Sequence, residues 1–199
     1  MRKVIITLII IAGLAYLFMG KKEIKNFPNS NQNIVAFGDS LTAGYGAPKG
    51  NSYPDYLGQR LNRPVINMGV SGELAIQASA RLPEVLAQQP YMVLIEFGGN
   101  DFMQQRSAQA AVEAVSQLVD AVQEAGAIAV IVDIGGPGME KYTTAYKKIA
   151  KEKGAIFVPG ILNGIFAKRA FKSDAVHPNA AGYEQVADKV YQKIKTYVK

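Results

Sequence analysis

The chain has 199 residues, of which 49% are hydrophobic, with 19 glycines and 9 prolines, and these proportions fit one globular domain with a sizeable core. The net charge is +6, but five of the 22 basic residues and one of the 16 acidic residues fall within residues 1–25. The rest is nearly balanced in charge, so we expect no nucleic-acid binding. With no cysteine and one histidine, thiol catalysis, cysteine-ligated zinc and disulfides are excluded.

Residues 1–20 open with Arg2-Lys3 and are apolar over residues 4–19. One interpretation is a secretory signal peptide cleaved after Gly13-Leu14-Ala15. The other is an uncleaved membrane anchor formed by residues 4–19, a run close to the shortest length that spans a bilayer. We favour the anchor, because cleavage would leave the apolar start Tyr16-Leu17-Phe18-Met19. Both interpretations predict an exported protein, periplasmic or otherwise extracytoplasmic.

A polar linker and a single domain follow the apolar segment. Residues 21–33 contain Pro28 and several asparagines, which is typical of a linker. In residues 34–199, short apolar runs predict strands at 34–37, 64–68, 91–97, 127–132 and 155–158. Helices are predicted at 53–61, at 73–89 with a break near Pro83, at 107–125, at 142–153 and from Asn179 onwards. This alternation predicts an α/β fold with a parallel sheet covered on both faces.

The first strand ends in Gly38-Asp39-Ser40. Open α/β sheets bind their ligands at the carboxyl ends of strands, so Ser40 stands where a nucleophile would be useful. A serine becomes a nucleophile only if a base and oxyanion donors converge on it. Taken alone, the same three residues also fit an ordinary turn with a helix cap.

Two glycine-containing stretches are candidate sources of oxyanion donors. Residues 67–72 follow the second strand, and Gly72 can present an unpaired backbone N–H. Gly98-Gly99-Asn100-Asp101 follows the third strand, and the Asn100 amide can donate to a developing negative charge. Each stretch is also compatible with a plain turn.

The only histidine, His177, lies three residues after Asp174 and just before the last predicted helix. Pro178 biases His177 toward an extended backbone. Asp174 is close enough in sequence to orient one ring nitrogen while the other faces a hydroxyl, as a general base requires. If the sheet has the flavodoxin-like order 2-1-3-4-5, Ser40 and Asn100 flank its topological switch point.

Together these stretches resemble the SGNH (GDSL-type) hydrolases, especially their bacterial esterase, lysophospholipase and acyl-thioesterase subgroup, from about Ile34 to the C-terminus. The resemblance implies a three-layer α/β/α sandwich with a five-stranded parallel sheet, to which the N-terminal apolar segment adds a helix. It also implies that Ser40, in Gly38-Asp39-Ser40-Leu41, is the nucleophile. Asp174 and His177 would complete a triad, and Gly72 and Asn100 would be oxyanion donors.

The expected reaction is hydrolysis of a carboxylic ester or thioester through an acyl-enzyme, with no metal or organic cofactor. A membrane association fits lysophospholipid-like or other lipid esters, besides short acyl and aryl esters. The alternatives are a cell-envelope carbohydrate deacetylase and a catalytically dead, tethered binding module. Asp39 and Asp101 are expected to bond nearby backbone. Phe102 and residues 135–139 depart from the family pattern, which leaves the acyl-chain preference open.

Overall fold

The computed structural model describes residues 23–198 of the chain. The predicted anchor or signal peptide, residues 1–20, and its apolar helix lie outside the described residues. Within residues 23–198, no helix is long and apolar enough to cross a membrane.

The core of the molecule is a five-stranded parallel sheet. Its strands are β1 (Asn33–Gly38), β2 (Val65–Gly69), β3 (Pro90–Glu96), β4 (Ile128–Val132) and β5 (Ile156–Val158). They are hydrogen-bonded in the order β2-β1-β3-β4-β5, which confirms the predicted fold class. Every residue of β3 and β4 is buried. Strands covered on both faces have no polar side, which explains why both sequences are apolar apart from Glu96, the last residue of β3.

Helices lie around this sheet. They are α1 (Ser40–Ala43), α2 (Tyr53–Leu61), α3 (Leu82–Ala87), α4 (Gly99–Met103), α5 (Ala108–Glu124), α6 (Glu140–Lys153) and α7 (Ala180–Ile194). Three 3-10 helices cover Ala75–Arg81, Arg169–Phe171 and Lys195–Tyr197. Helix α2 packs against α7, while α5 packs against α6 and the first 3-10 helix.

Local sequence signals set several helix boundaries. The Ser52 hydroxyl accepts from the Asp55 N–H, and the Asp55 carboxylate accepts from the Ser52 N–H, so α2 begins with a capping box. The predicted helix over residues 73–89 is instead a 3-10 helix followed by α3. Pro83 lies in the first turn of α3; without an N–H it cannot continue a preceding α-helix but fits the start of a new one.

The described part of the predicted linker lies against the domain. Backbone and asparagine side chains of this segment donate to carbonyls at the amino-terminal edge of the sheet. The pairs are Lys25 N–H to Gly154 O (2.9 Å), Asn26 Nδ2 to Gln123 O (2.7 Å) and Ala127 O (2.9 Å), Asn29 Nδ2 to Tyr91 O (3.1 Å) and Asn31 Nδ2 to Pro90 O (3.1 Å). The chain therefore joins the domain at the edge opposite the carboxyl ends of the strands.

Candidate active site

Ser40 is the first residue of α1, directly beyond the end of β1. Asp39 is the N-cap of this short helix, and its Oδ1 accepts from the Leu41 N–H at 3.0 Å. Gly38 has no room for a side chain, because a Cβ there would lie 2.2 Å from Thr42 Oγ1. This tight turn fixes Ser40, which is 7% exposed, at the carboxyl edge of the sheet.

Ser40, His177 and Asp174 form one continuous hydrogen-bonded chain. Ser40 Oγ lies 3.0 Å from His177 Nε2, although the two residues are 137 positions apart. His177 Nδ1 lies 2.8 Å from Asp174 Oδ2. The structure thus brings together the three residues that the sequence predicted as a triad, in the arrangement that a general base and its orienting acid require.

The loop that carries His177 is held by its own backbone. Asp174 Oδ1 accepts from the backbone N–H groups of Val176 (2.9 Å) and His177 (2.8 Å). Although partial burial opposes ionisation, these hydrogen bonds and the contact with the imidazole lower the pKa of Asp174 to about 2. The ring of Tyr45 lies beside the imidazole, with a centroid separation of 4.6 Å. Asp174 is therefore ionised at neutral pH and fixes the orientation of His177.

Gly72 and Asn100 follow β2 and β3, at the same edge of the sheet as Ser40. Gly72 has φ +83°, and neither its N–H nor that of Ser40 donates to an acceptor within residues 23–198. Asn100 Nδ2 donates to Asp39 Oδ2 at 3.0 Å and to Glu73 O at 3.1 Å. The role of Asn100 as an oxyanion donor thus stays a prediction, and it requires one of these hydrogen bonds to be exchanged for one to substrate.

Side-chain contacts hold both ends of the segment between β2 and the first 3-10 helix. Arg81 forms an ion pair with Glu73, donates to Met68 O at 3.1 Å and lies over the ring of Phe37. Asp101 Oδ2 accepts from the Ala75 N–H at 3.0 Å. Asp101, like Asp39, therefore bonds loop backbone as expected, and the loop that carries Gly72 is fixed at both ends.

A mostly apolar pocket of about 160 Å³ opens beside Ser40 and His177. Its walls include Phe102, Ile134, Pro137, Met139, Leu162 and Phe166. Glycines allow two of these aromatic rings to approach the loop after β4. A Cβ on Gly136 would lie 2.5 Å from the ring of Phe166, and one on Gly138 would lie 2.7 Å from that of Phe102. The positions that depart from the family pattern thus shape this pocket.

Sequence reasoning missed two fully buried carboxyl groups, Glu96 at the end of β3 and Asp133 after β4. The available signal was a single acidic residue at the end of an otherwise apolar strand, because acidic side chains are rarely fully buried without a partner. Glu96 Oε2 accepts from the Thr42 hydroxyl at 2.9 Å. Across the described residues, no group of three or more histidine, aspartate or glutamate side chains is arranged to hold a metal ion.

The family model described as "GDSL-like Lipase/Acylhydrolase family" matches residues 36–185. The chain belongs to this family, as the sequence resemblance predicted, and it is an ester hydrolase.

Two curated proteins illustrate the relationship. "Thioesterase 1/protease 1/lysophospholipase L1" of Escherichia coli K12 is 29% identical over 83% of this chain and 84% of its own length. An "Arylesterase" of Vibrio mimicus is 28% identical over 83% of this chain and 89% of its own length.

Among solved structures, the psychrotrophic esterase EstA from Pseudoalteromonas sp., inhibited by monoethylphosphonate, is 26% identical with a TM-score of 0.75. The alignment covers 83% of this chain and 97% of that one.

Proposed function

We propose that this protein hydrolyses carboxylic esters and thioesters through an acyl-enzyme formed on Ser40. The observation that carries the proposal is the unbroken chain from Asp174 through His177 to Ser40, with contacts of 2.8 and 3.0 Å. His177 takes the proton of Ser40 as Oγ attacks the carbonyl carbon, and it then returns that proton to the leaving group. Water repeats the sequence on the acyl-enzyme, while ionised Asp174 holds the imidazole.

The tetrahedral intermediate places a negative charge on the former carbonyl oxygen. We assign its stabilisation to the backbone N–H groups of Ser40 and Gly72, which have no acceptor among the described residues, and to the Asn100 amide. Donors fixed in advance contribute most, since they need no reorganisation during the reaction. This applies to the two backbone N–H groups, whereas the Asn100 amide must first release Asp39 or Glu73. The hydrogen bonds that Arg81 and Asp101 make to the neighbouring loop support such a fixed arrangement.

The pocket beside Ser40 supports short acyl and aryl esters as substrates. Its volume, about 160 Å³, is close to that of an engineered apolar cavity of about 150 Å³ that binds benzene. An acyl or aryl group of about six carbons therefore fills it, and a longer chain must extend past Phe102, which is 40% exposed. Relatives named arylesterase and thioesterase/lysophospholipase are consistent with this range, so lysophospholipid-like esters are included in the proposal.

We also propose that the protein is exported and anchored by residues 4–19. The described chain reaches the domain at the amino-terminal edge of the sheet, where the Lys25 N–H bonds Gly154 O, whereas Ser40 lies at the opposite edge. Residues 20–24 span at most about 18 Å, and a domain of this size is about 40 Å across. An anchored domain then presents its pocket away from the bilayer, to esters that arrive from the aqueous side.

Reconstitution of the full-length chain into lipid vesicles tests this orientation. Anchored enzyme should hydrolyse a dispersed short-chain ester much faster than a lysophospholipid embedded in the same vesicle. A chain starting at Glu23 keeps the hydrogen bonds of Lys25, Asn26 and Asn29 to the domain and should show a much smaller disparity when both esters are supplied in solution. Equal rates on the embedded and the dispersed ester by the anchored form would contradict the orientation.

Ser40→Ala tests the hydrolase itself, with a short-chain aryl ester as substrate and circular dichroism to establish that the variant is folded. Activity should fall to the background of spontaneous hydrolysis. More than trace activity in the folded variant would refute Ser40 as the nucleophile. Failure of wild-type Ser40 to react with a fluorophosphonate would favour a binding module with an inactive site.

A further inference from the structure

Glu96 is the last residue of β3 and lies beneath the turn that carries Ser40. Its side chain is fully buried. Oε2 accepts from the Thr42 hydroxyl at 2.9 Å, whereas Oε1 is the only buried side-chain polar atom of the described residues without a hydrogen-bond donor. The Asp39 carboxyl lies near enough for its charge to act on Glu96. A buried ionised carboxylate with a free oxygen facing a second carboxylate is strongly unfavourable.

The hydrogen bonds around the pair indicate which group holds a proton. Asp39 accepts from the Leu41 N–H through Oδ1 and from Asn100 Nδ2 through Oδ2, and both bonds favour its ionised form. Glu96 accepts from the Thr42 hydroxyl through Oε2, which leaves Oε1 free to carry a hydrogen. Burial, followed by the nearby charge of Asp39, raises the pKa of Glu96 well above its ordinary value.

We propose that Glu96 is a positioning residue that remains a neutral carboxylic acid at neutral pH and donates its hydrogen to Asp39. This inference rests on the proposed function only for its kinetic readout. Asp39 bonds the Ser40 turn with one oxygen and Asn100 with the other. A donor that fixes the Asp39 carboxylate therefore fixes the nucleophile and an oxyanion donor together.

The other groups that face Glu96 are neutral at this pH. The hydroxyl of Tyr53, from α2, lies 3.3 Å from Thr42 Oγ1. Burial raises the pKa of Tyr53 and of Tyr183 from α7, so both remain protonated phenols. Tyr146 from α6 is likewise held neutral by burial, which raises its pKa. His177 and Asp101 also act on the charge of Asp39, but the His177 ring bonds Ser40 and Asp174. Among the described residues, no cation is therefore hydrogen-bonded to either carboxyl of the pair.

Two substitutions separate a hydrogen-bond donor from a charge. Glu96→Gln keeps the shape, places an N–H₂ donor toward Asp39 and still accepts from Thr42, whereas Glu96→Leu supplies no donor. We expect kcat of Glu96→Gln within about threefold of wild type. We expect kcat of Glu96→Leu to fall about 10- to 100-fold with KM little changed, the effect of leaving a buried polar group unpaired.

Infrared difference spectroscopy reads the protonation state without an assay. Wild type minus Glu96→Gln at pH 7 should show the carbonyl stretch of a protonated carboxylic acid. Asp133 gives the matched control. Burial raises its pKa as well, but its carboxylate accepts from the Thr143 hydroxyl (3.0 Å) and the Gly160 N–H (2.9 Å), which favour the ionised form. Wild type minus Asp133→Asn should show only the bands of an ionised carboxylate.

A Glu96→Gln variant that loses as much kcat as Glu96→Leu would overturn the proposal, as would a difference spectrum showing ionised Glu96. If Glu96→Leu does not fold, the spectrum and the Glu96→Gln rate decide alone. The spectrum does not depend on catalysis. A neutral Glu96 in a protein whose Ser40→Ala variant stays active would therefore refute the proposed function and leave the state of Glu96 established.

Discussion

The carboxyl edge and the amino edge of the sheet carry different kinds of groups. At the carboxyl edge lie the Ser-His-Asp chain, a buried acid pair and the apolar pocket. Five exposed large apolar side chains also follow the carboxyl ends of β1, β2 and β3; they are Tyr45, Val70, Ile76, Phe102 and Met103. At the amino edge, asparagine side chains bond backbone carbonyls and leave few groups unsatisfied. The carboxyl edge therefore carries groups that lower the stability of the fold, whereas the hydrogen bonds of the amino edge hold the linker segment against the domain.

After Ser40→Ala, Asp174→Asn should cause the largest loss, about 10⁴-fold in kcat for a short-chain aryl ester. The amide keeps the position of the side chain but favours the wrong tautomer of His177, an effect measured in other serine hydrolases. Stopped-flow assay of the acyl-enzyme burst checks this, with circular dichroism for the fold. A loss smaller than tenfold would mean that Asp174 does not orient His177.

Asn100→Ala should lower kcat about 10²- to 10³-fold, because a donor to the oxyanion is lost. Asp101→Asn is the neighbouring control, since Asp101 bonds the Ala75 N–H and not the reacting groups. It should change kcat far less. Equal losses in both variants would point to collapse of α4 rather than to a missing donor.

The buried acid at the carboxyl edge should make stability depend on pH. The folded-state pKa of Glu96 is raised by burial, so above the ordinary value near 4.5 the unfolded chain releases a proton that the folded chain keeps. Stability therefore falls as pH rises, by up to about 1.4 kcal/mol per pH unit from this group. Urea denaturation between pH 4 and 8 should show that the free energy of unfolding of Glu96→Gln rises relative to that of wild type as the pH increases. Parallel curves would contradict a raised pKa.

Phe102→Ala should shift the acyl-chain optimum toward longer esters, with a change in the ratio of long- to short-chain kcat/KM of about tenfold, since several buried methylenes are worth about 1–3 kcal/mol. The ring packs over Gly138, and its removal extends the pocket. Ile76→Ala, which removes an exposed side chain outside the pocket, is the control. An unchanged chain-length profile would show that Phe102 does not limit the pocket.

Asn26→Ala tests the amino edge and should leave kcat unchanged. Its amide donates to Gln123 O and Ala127 O, so its loss should lower the free energy of unfolding by about 1–3 kcal/mol. Chemical denaturation measures the stability, and the aryl-ester assay measures the rate. A fall in kcat in a fully folded variant would show that the amino edge affects catalysis at the carboxyl edge, which would contradict the separation of the two edges.

The sequence predicted the fold because its main features are local or periodic. The apolar runs of β3 and β4 each predicted a strand, and the alternation of strands and helices predicted a parallel sheet covered on both faces. In the region from Glu73 to Gln89 the predicted break near Pro83 is confirmed, but the residues before it form a 3-10 helix and not the predicted α-helix. Helices as short as α1 and α4 carry no periodic signal.

The proposed catalytic residues were predictable because each follows a strand end or a loop signal, whereas Glu96 was not. The role of Glu96 depends on its neighbours Thr42 and Asp39, which belong to the first strand–helix unit. Contacts between separate elements leave no periodic pattern in the sequence. The hydrogen bonds of the Asn100 amide to Asp39 and Glu73 also arise from tertiary packing, so the sequence did not predict them.

The most direct test of the account is mass-spectrometric mapping after treatment with a fluorophosphonate, in wild type and in His177→Ala. A nucleophile activated by His177 should give one adduct, on Ser40, in wild type and almost none in the variant at the same time point. An adduct at another residue, or equal labelling of Ser40 in both proteins, would contradict the account.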